Sequence, residues 1–295
     1  VLSEMNRKFG GNYLHETTLI AAARAQGWQT AIIGKEGPAR IQDSTAAPDG
    51  NETLIVDDAT GSEGGLGLPA WFSAGMRQAF VGPVAPKPAV PAIEQEVWLM
   101  KAATRIVLPH FQETGKPFAM LFWSRDPDIS QHNSKDSVGE MIPGINGPSG
   151  LAGTRNADTM LGELLDYLKK TGLDKSTDVF VTADHGFATV NHVSATSPSA
   201  RPEPGGPIAE LQSGFLAVDL AATLGMPLRP PGDTGPSVDF RNGGKLAGGS
   251  GMLGKDPRHP DVIVAANGGT DLIYLPAMNA KAAAPAKAMA VDIVK

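Results

Sequence analysis

The chain contains no cysteine. Disulfides and thiolate metal sites are thereby excluded, and any metal must be held by His, Asp, Glu and other oxygen donors. The same absence suits an oxidising compartment as well as a reducing one, so it localises nothing. No apolar run approaches the roughly 18–20 residues that span a bilayer, and no basic-then-apolar leader is present. The text opens at Val1 with VLSEMNRKFGG, which reads as a processed or truncated chain, so the missing leader carries no weight. A basic surplus is lacking too. The formal charge of −6 and pI near 5.5 argue against a general nucleic-acid binder. A single nucleotide or small phosphate ester stays open as a ligand, since metals or local cations in one cleft can hold such an anion. There is no internal repeat.

What is present is a chain of 295 residues, 41% apolar and 19% charged, enough for one large α/β domain or two ordinary ones. Helical and strand-like segments alternate along it. Helical spacing over 15–26 stops at Gly27 and is followed by a strand, Gln29–Ile33; ETLIVDDA, 52–59, reads as another. The Gly/Pro-rich stretches 34–51 and 60–92 read as long loops, and 93–114 as a helix that Pro109 bends or ends. Strand Phe118–Trp123, helix 156–172 and strand Asp178–Thr182 follow in turn. Val179, Phe180 and Val181 are consecutive apolar residues, as in a strand covered on both faces. Further on, 214–226 reads as a strand running into a helix, and 227–260 as a loop or small cap. Residues 261–267 and 271–276 read as a strand pair, and 278–294 as a closing helix. The fold class expected is α/β, with a mostly parallel sheet sandwiched by helices.

Two of the expected strands end in an acid and a histidine. After Phe118–Trp123 comes SRDPDISQHN, in which Asp128 and His132 lie four apart and share one face of a helical turn. After Asp178–Thr182 come Asp184 and His185, where a chain turning at Gly186 lets both reach one ion. Read alone, the first is a capped turn, with Asp126 at the N-cap and Pro127 at the first helical position. Read alone, the second is a polar turn after a buried strand. Together they mark the carboxyl ends of parallel strands, where ligands gather in such sheets. Carboxylate and imidazole donors suit zinc and related divalent ions. The other histidines read as structural or solvated: His15 at a helix start, His110 beside Pro109, and His192 in a loop. Lys35 reads as a solvated strand-end lysine, with phosphate contact as the sharper alternative.

PDISQH followed by VTADHGF resembles the alkaline phosphatase superfamily, in its nucleotide pyrophosphatase/phosphodiesterase-like (type I phosphodiesterase) branch. The resemblance runs in order through GKEGP at 34–38, the long helix, both clusters and DVIVAANGG at 261–269. Gln131 departs from it, standing where the branch has glycine. The resemblance implies a single alkaline-phosphatase-like domain over 1–295, incomplete at both ends, with 227–260 as a loop or cap insertion. It implies metal-dependent hydrolysis of phosphate esters, of phosphodiester or nucleotide type, at a site of two zinc ions, or of manganese or another divalent ion. Asp128 and His132 serve one metal and Asp184 and His185 the other, and a Thr or Ser forms a covalent phospho-enzyme. It also implies a periplasmic or secreted protein.

The pattern requires an opening Asp, the nucleophile and a further His. Thr17 and Thr18 read as helix-cap residues, so the nucleophile is expected outside the chain. His259 is the sole histidine downstream of His192 and is the remaining ligand candidate; Asp126 is a ligand or supports His132. Two other readings stay open: a degenerate, non-catalytic phosphatase-like binding module, and a phosphomonoesterase of the same superfamily.

Overall fold

A computed structural model describes residues 2–79, 82–132, 136–137, 144–188, 194, 196–202, 209–211, 214–242, 244, 246, 248–267 and 270–276. The chain divides into two compact units, residues 1–190 and 191–295.

In the first unit, helices α1 (Leu2–Phe9) and α2 (Leu19–Ala25) precede a parallel sheet of β1 (Gln29–Gly34), β2 (Leu54–Asp57) and β3 (Phe118–Trp123), in the order β2-β1-β3. The register sets Gly34 beside Asp57 on one side and Trp123 on the other, so all three strands end at the same level. β1 is central and covered on both faces, which is why Ala31, Ile32 and Ile33 are all apolar and fully buried. Its side chains alternate between two cores. Ala31 and Ile33 pack with Phe72 of α4 (Ala70–Gln78), Leu99 and Met100 of α5 (Ile93–Ala102), Phe111 and Met160. Ile32 packs with Ile20 and with Ala39 of α3 (Glu36–Ile41).

The helix expected over 93–114 is continuous, but not regular. A π-helical turn at Ala103–Val107 separates α5 from α6 (Leu108–Thr114), which ends at Gly115 in the left-handed conformation. Pro109 has no N–H to return to Arg105, and the wider turn directly before it takes up the change of pitch. α7 (Asp128–His132) and the long α8 (Pro148–Thr171) complete the unit. α2 starts at Leu19 rather than near 15, because the Thr18 hydroxyl accepts from the Ala21 N–H at 3.1 Å and sets the boundary.

The strand expected at Asp178–Thr182 does not form. Among the described residues this segment joins no sheet, and Phe180 and Val181 are 89% and 72% exposed. A β-branched run becomes a strand only where a neighbouring edge takes its backbone. β3, an edge strand among those described in this sheet, is only half-buried along its whole length.

In the second unit a two-residue ladder, β4 (Arg201–Pro202) with β5 (Ala209–Glu210), precedes α9 (Phe215–Leu224). Among the described residues no strand leads into α9, which starts directly after Gly214. α9 lays Ala217, Leu220 and Ala221 on a core with Leu228, Leu253, Val262 and Val264. Those residues come from an antiparallel sheet of β6 (Leu228–Arg229), β7 (Gly251–Leu253), β8 (Val262–Asn267) and β9 (Thr270–Tyr274). The β8–β9 pair matches the expected one. The mostly parallel sheet expected is met by the first unit, whereas the described strands of the second pair antiparallel, since a link as short as Asn267 to Thr270 permits only a hairpin. Stretch 227–260 supplies β6 and β7 to this sheet. The closing helix expected over 278–294 lies outside the described residues, as does His192. No described helix is long and apolar enough to cross a membrane.

Candidate metal centre

The carboxyl ends of β1 and β3 are brought together by a glycine. Gly34 has φ of 141°, and a Cβ there would lie 2.0 Å from the Trp123 carbonyl oxygen. Only glycine allows this approach. The Lys35 N–H then donates to that oxygen at 3.3 Å, which fixes the lysine at the mouth of the sheet.

Beyond Trp123 the chain turns into α7 over a buried carboxylate from another helix. Glu96 of α5 is fully buried and accepts from the backbone N–H groups of Arg125 and Asp126 and from the Ser124 hydroxyl. Its other oxygen, Oε2, has no hydrogen-bond partner. Burial pushes this carboxyl up to about 7; the turn's hydrogen bonds oppose that and offset only part of it. A second buried carboxylate, Asp126, fastens the same turn. Its Oδ2 accepts from the Ala92 N–H and from Asn156 Nδ2, both at 2.8 Å, and its Oδ1 accepts from the Ser130 hydroxyl at 2.6 Å. Asp126 thus ties α7 to α8 through side chains, where a local reading expects it to cap α7 through a backbone N–H. Gly153 lets α8 lie flush on α7, since a Cβ there would stand 2.7 Å from Ser130.

On this foundation α7 presents Asp128 and His132 one turn apart, with His132 Nε2 3.5 Å from Asp128 Oδ1. His185 Nε2 approaches the same oxygen to 3.4 Å. The His185 Nδ1 lies 3.1 Å from the Gly186 carbonyl. A carbonyl only accepts, so Nδ1 carries a proton in this contact and the Nε2 lone pair is left for a ligand. The Phe187 ring meets both imidazoles edge to face, with centroids 4.8 Å and 5.0 Å away, and limits their rotation.

Donor atoms of Asp128, His132 and His185 all fall within 4.8 Å of one another. Asp128 Oδ1 is buried and has no hydrogen-bond partner. A carboxylate oxygen and two imidazole nitrogens gathered this closely form a group that could hold a cation. Two ligand atoms each about 2.0–2.1 Å from zinc at the tetrahedral angle lie about 3.3–3.4 Å apart. The separations of 3.4 Å and 3.5 Å from Asp128 Oδ1 to the two imidazole nitrogens are close to that spacing. One oxygen and two nitrogens also form a donor set that zinc accepts. Asp184 stands beside the group, its Oδ2 3.6 Å from His185 Nε2.

Lys35 is the residue that local reading undervalued. Its Nζ donates to Asp128 Oδ2 at 2.8 Å, so one carboxylate faces the lysine through one oxygen and the histidines through the other. Two further ion pairs line the strand ends: Arg40 to Asp57 and Arg125 to Asp58, each at 2.7 Å. Burial pushes the Asp58 carboxyl above its usual range, with Arg125 opposing the shift. Glu96 was also overlooked, although an acid in the middle of an apolar helix face is the signal that could have found it. His259 belongs to the second unit, where it is exposed and its Nδ1 lies 2.9 Å from Asp256 Oδ2. His110 stacks on Trp71 at 3.8 Å between ring centroids and is structural. Thr18 is engaged as a helix cap.

No curated protein and no solved structure matches the chain. Residues 55–213 match the type I phosphodiesterase / nucleotide pyrophosphatase family. The matched stretch covers more than half of the chain, from β2 through both acid–histidine clusters. The chain therefore belongs to the type I phosphodiesterase / nucleotide pyrophosphatase family, phosphoester hydrolases of the alkaline phosphatase superfamily that typically use divalent metals.

Proposed function

We propose that the chain is the metal-holding part of a two-zinc hydrolase acting on phosphate esters of phosphodiester or nucleotide type, built on an alkaline-phosphatase-like fold. Asp128, His132, Asp184 and His185 would hold the ions. The nucleophile and the remaining ligands come from polypeptide outside residues 1–295. The observation that carries the reading is the gathering of donor atoms of Asp128, His132 and His185 within 4.8 Å of one another, around an aspartate oxygen with no hydrogen-bond partner. Bound divalent ions would supply Lewis acidity toward the phosphoryl oxygens and lower the pKa of a coordinated hydroxyl.

The chain's own residues do the holding. Glu96 and Asp126 fix the turn, α7 spaces Asp128 and His132, and the Gly186 carbonyl orients His185. The test is hydrolysis of bis-p-nitrophenyl phosphate by chain 1–295 loaded with zinc. Zinc uptake without turnover at enzymatic rates is expected. Turnover typical of an enzyme would place the nucleophile within these residues and contradict the division of labour.

A further inference from the structure

Asp128 has an oxygen for each of two kinds of cation. Oδ1 lies 3.4 Å and 3.5 Å from the two imidazole nitrogens, while Oδ2 accepts from Lys35 Nζ at 2.8 Å. The lysine side chain is 31% exposed and the aspartate 20%, so the pair sits at the mouth of the site and is open to a ligand. Its placement is built into the backbone: Gly34 makes the close turn, and the Lys35 N–H is bonded to the Trp123 carbonyl.

A lysine in this position opposes a metal. Its charge repels an ion held on the same carboxylate, and its hydrogen bond takes up negative charge that the ion needs. A cation that weakens the metal, yet is fixed by a turn only glycine permits, is explained by an anion. The other cations at the strand ends are committed to acids: Arg40 to fully buried Asp57 and Arg125 to largely buried Asp58, with shorter contacts than that of Lys35. Moving either arginine would strip a buried carboxylate of its partner, whereas Asp128 has another cation to receive.

We propose that Lys35 is a phosphoryl-contacting residue: on substrate binding its ammonium passes from Asp128 Oδ2 to a non-bridging oxygen of the phosphate ester. No covalent bond changes and no proton moves in this exchange; one ion pair replaces another. The inference rests on the metal reading proposed above and assigns the anion's contact on the protein side.

The experiment titrates chain 1–295 first with zinc and then with inorganic phosphate, by calorimetry, for the wild type, Lys35→Met and Lys35→Arg. Lys35→Gln replaces the methionine variant if circular dichroism shows that one unfolded. Removing the positive charge is expected to tighten zinc binding roughly tenfold or more and to weaken phosphate binding to the zinc-loaded chain by about tenfold. Lys35→Arg is expected to retain phosphate binding. Opposite signs are the diagnostic result, since a lysine that merely propped the carboxylate would loosen zinc when removed, and that outcome overturns the proposal. Unchanged phosphate affinity in zinc-loaded Lys35→Met also overturns it while leaving the metal reading intact. A wild type that takes up no zinc overturns both.

Discussion

Replacing Glu96 with glutamine should stabilise the first unit at alkaline pH and leave it nearly unaffected in acid. In the fold this carboxyl is raised from its usual 4.5 to about 7, with burial as the main cause. Below 4.5 the acid is protonated in both folded and unfolded chains. Between 4.5 and 7 only the folded chain keeps the proton, so stability falls as pH rises across that window. At about 1.4 kcal/mol per pH unit, the wild type loses about 3 kcal/mol by pH 8 relative to an uncharged equivalent. Glutamine is that equivalent. Its carbonyl can still accept from Arg125, Asp126 and Ser124, as Glu96 does. Urea unfolding followed by tryptophan fluorescence is the suitable assay, because Trp28, Trp71, Trp98 and Trp123 all lie in the first unit. The difference between Glu96→Gln and wild type should grow from near zero at about pH 4 to about 3 kcal/mol at about pH 8. A flat difference, or an equal loss of stability at both pH values, would refute the reasoning.

Gly34→Ala puts a methyl 2.0 Å from the Trp123 carbonyl at a φ of 141°. It should cost about 3 kcal/mol or more; the same urea assay checks this, and a neutral result would mean β1 and β3 are not joined as described. Asp126→Ala strands the Ala92 N–H, the Asn156 amide and the Ser130 hydroxyl. It should lose about 3 kcal/mol or more and also weaken zinc binding through a loosened α7, whereas Asp126→Asn should recover part of both. Wild-type stability in Asp126→Ala would remove the aspartate from the foundation of the site.

Much of the site was legible because its signals are local. The spacing of Asp128 and His132 needs only a helical turn, and the acid–histidine pair within TADHG is adjacent in the chain. The parallel strands were legible for a similar reason, since a strand covered on both faces is written as an unbroken apolar run. Lys35 was not legible, because its partner Asp128 lies 93 positions away and only the closure of β1 on β3 brings them together. The 178–182 run shows the opposite failure. Its residues prefer a strand, yet strand formation belongs to the pairing of two segments, and among the described residues none pairs with it. The direction of the strand pair in the second unit was not legible, because periodicity identifies strands without giving their direction, which the connection between β8 and β9 decides.

The central claim is that Asp128, His132 and His185 belong to one metal-binding centre. Zinc content after loading and exhaustive dialysis tests it most directly, in chain 1–295 and in its Asp128→Asn and His185→Ala variants, each checked for fold by circular dichroism. The account predicts retained zinc in the wild type and its loss from both folded variants. A wild type without zinc, or a folded His185→Ala chain that holds as much as the wild type, would contradict it.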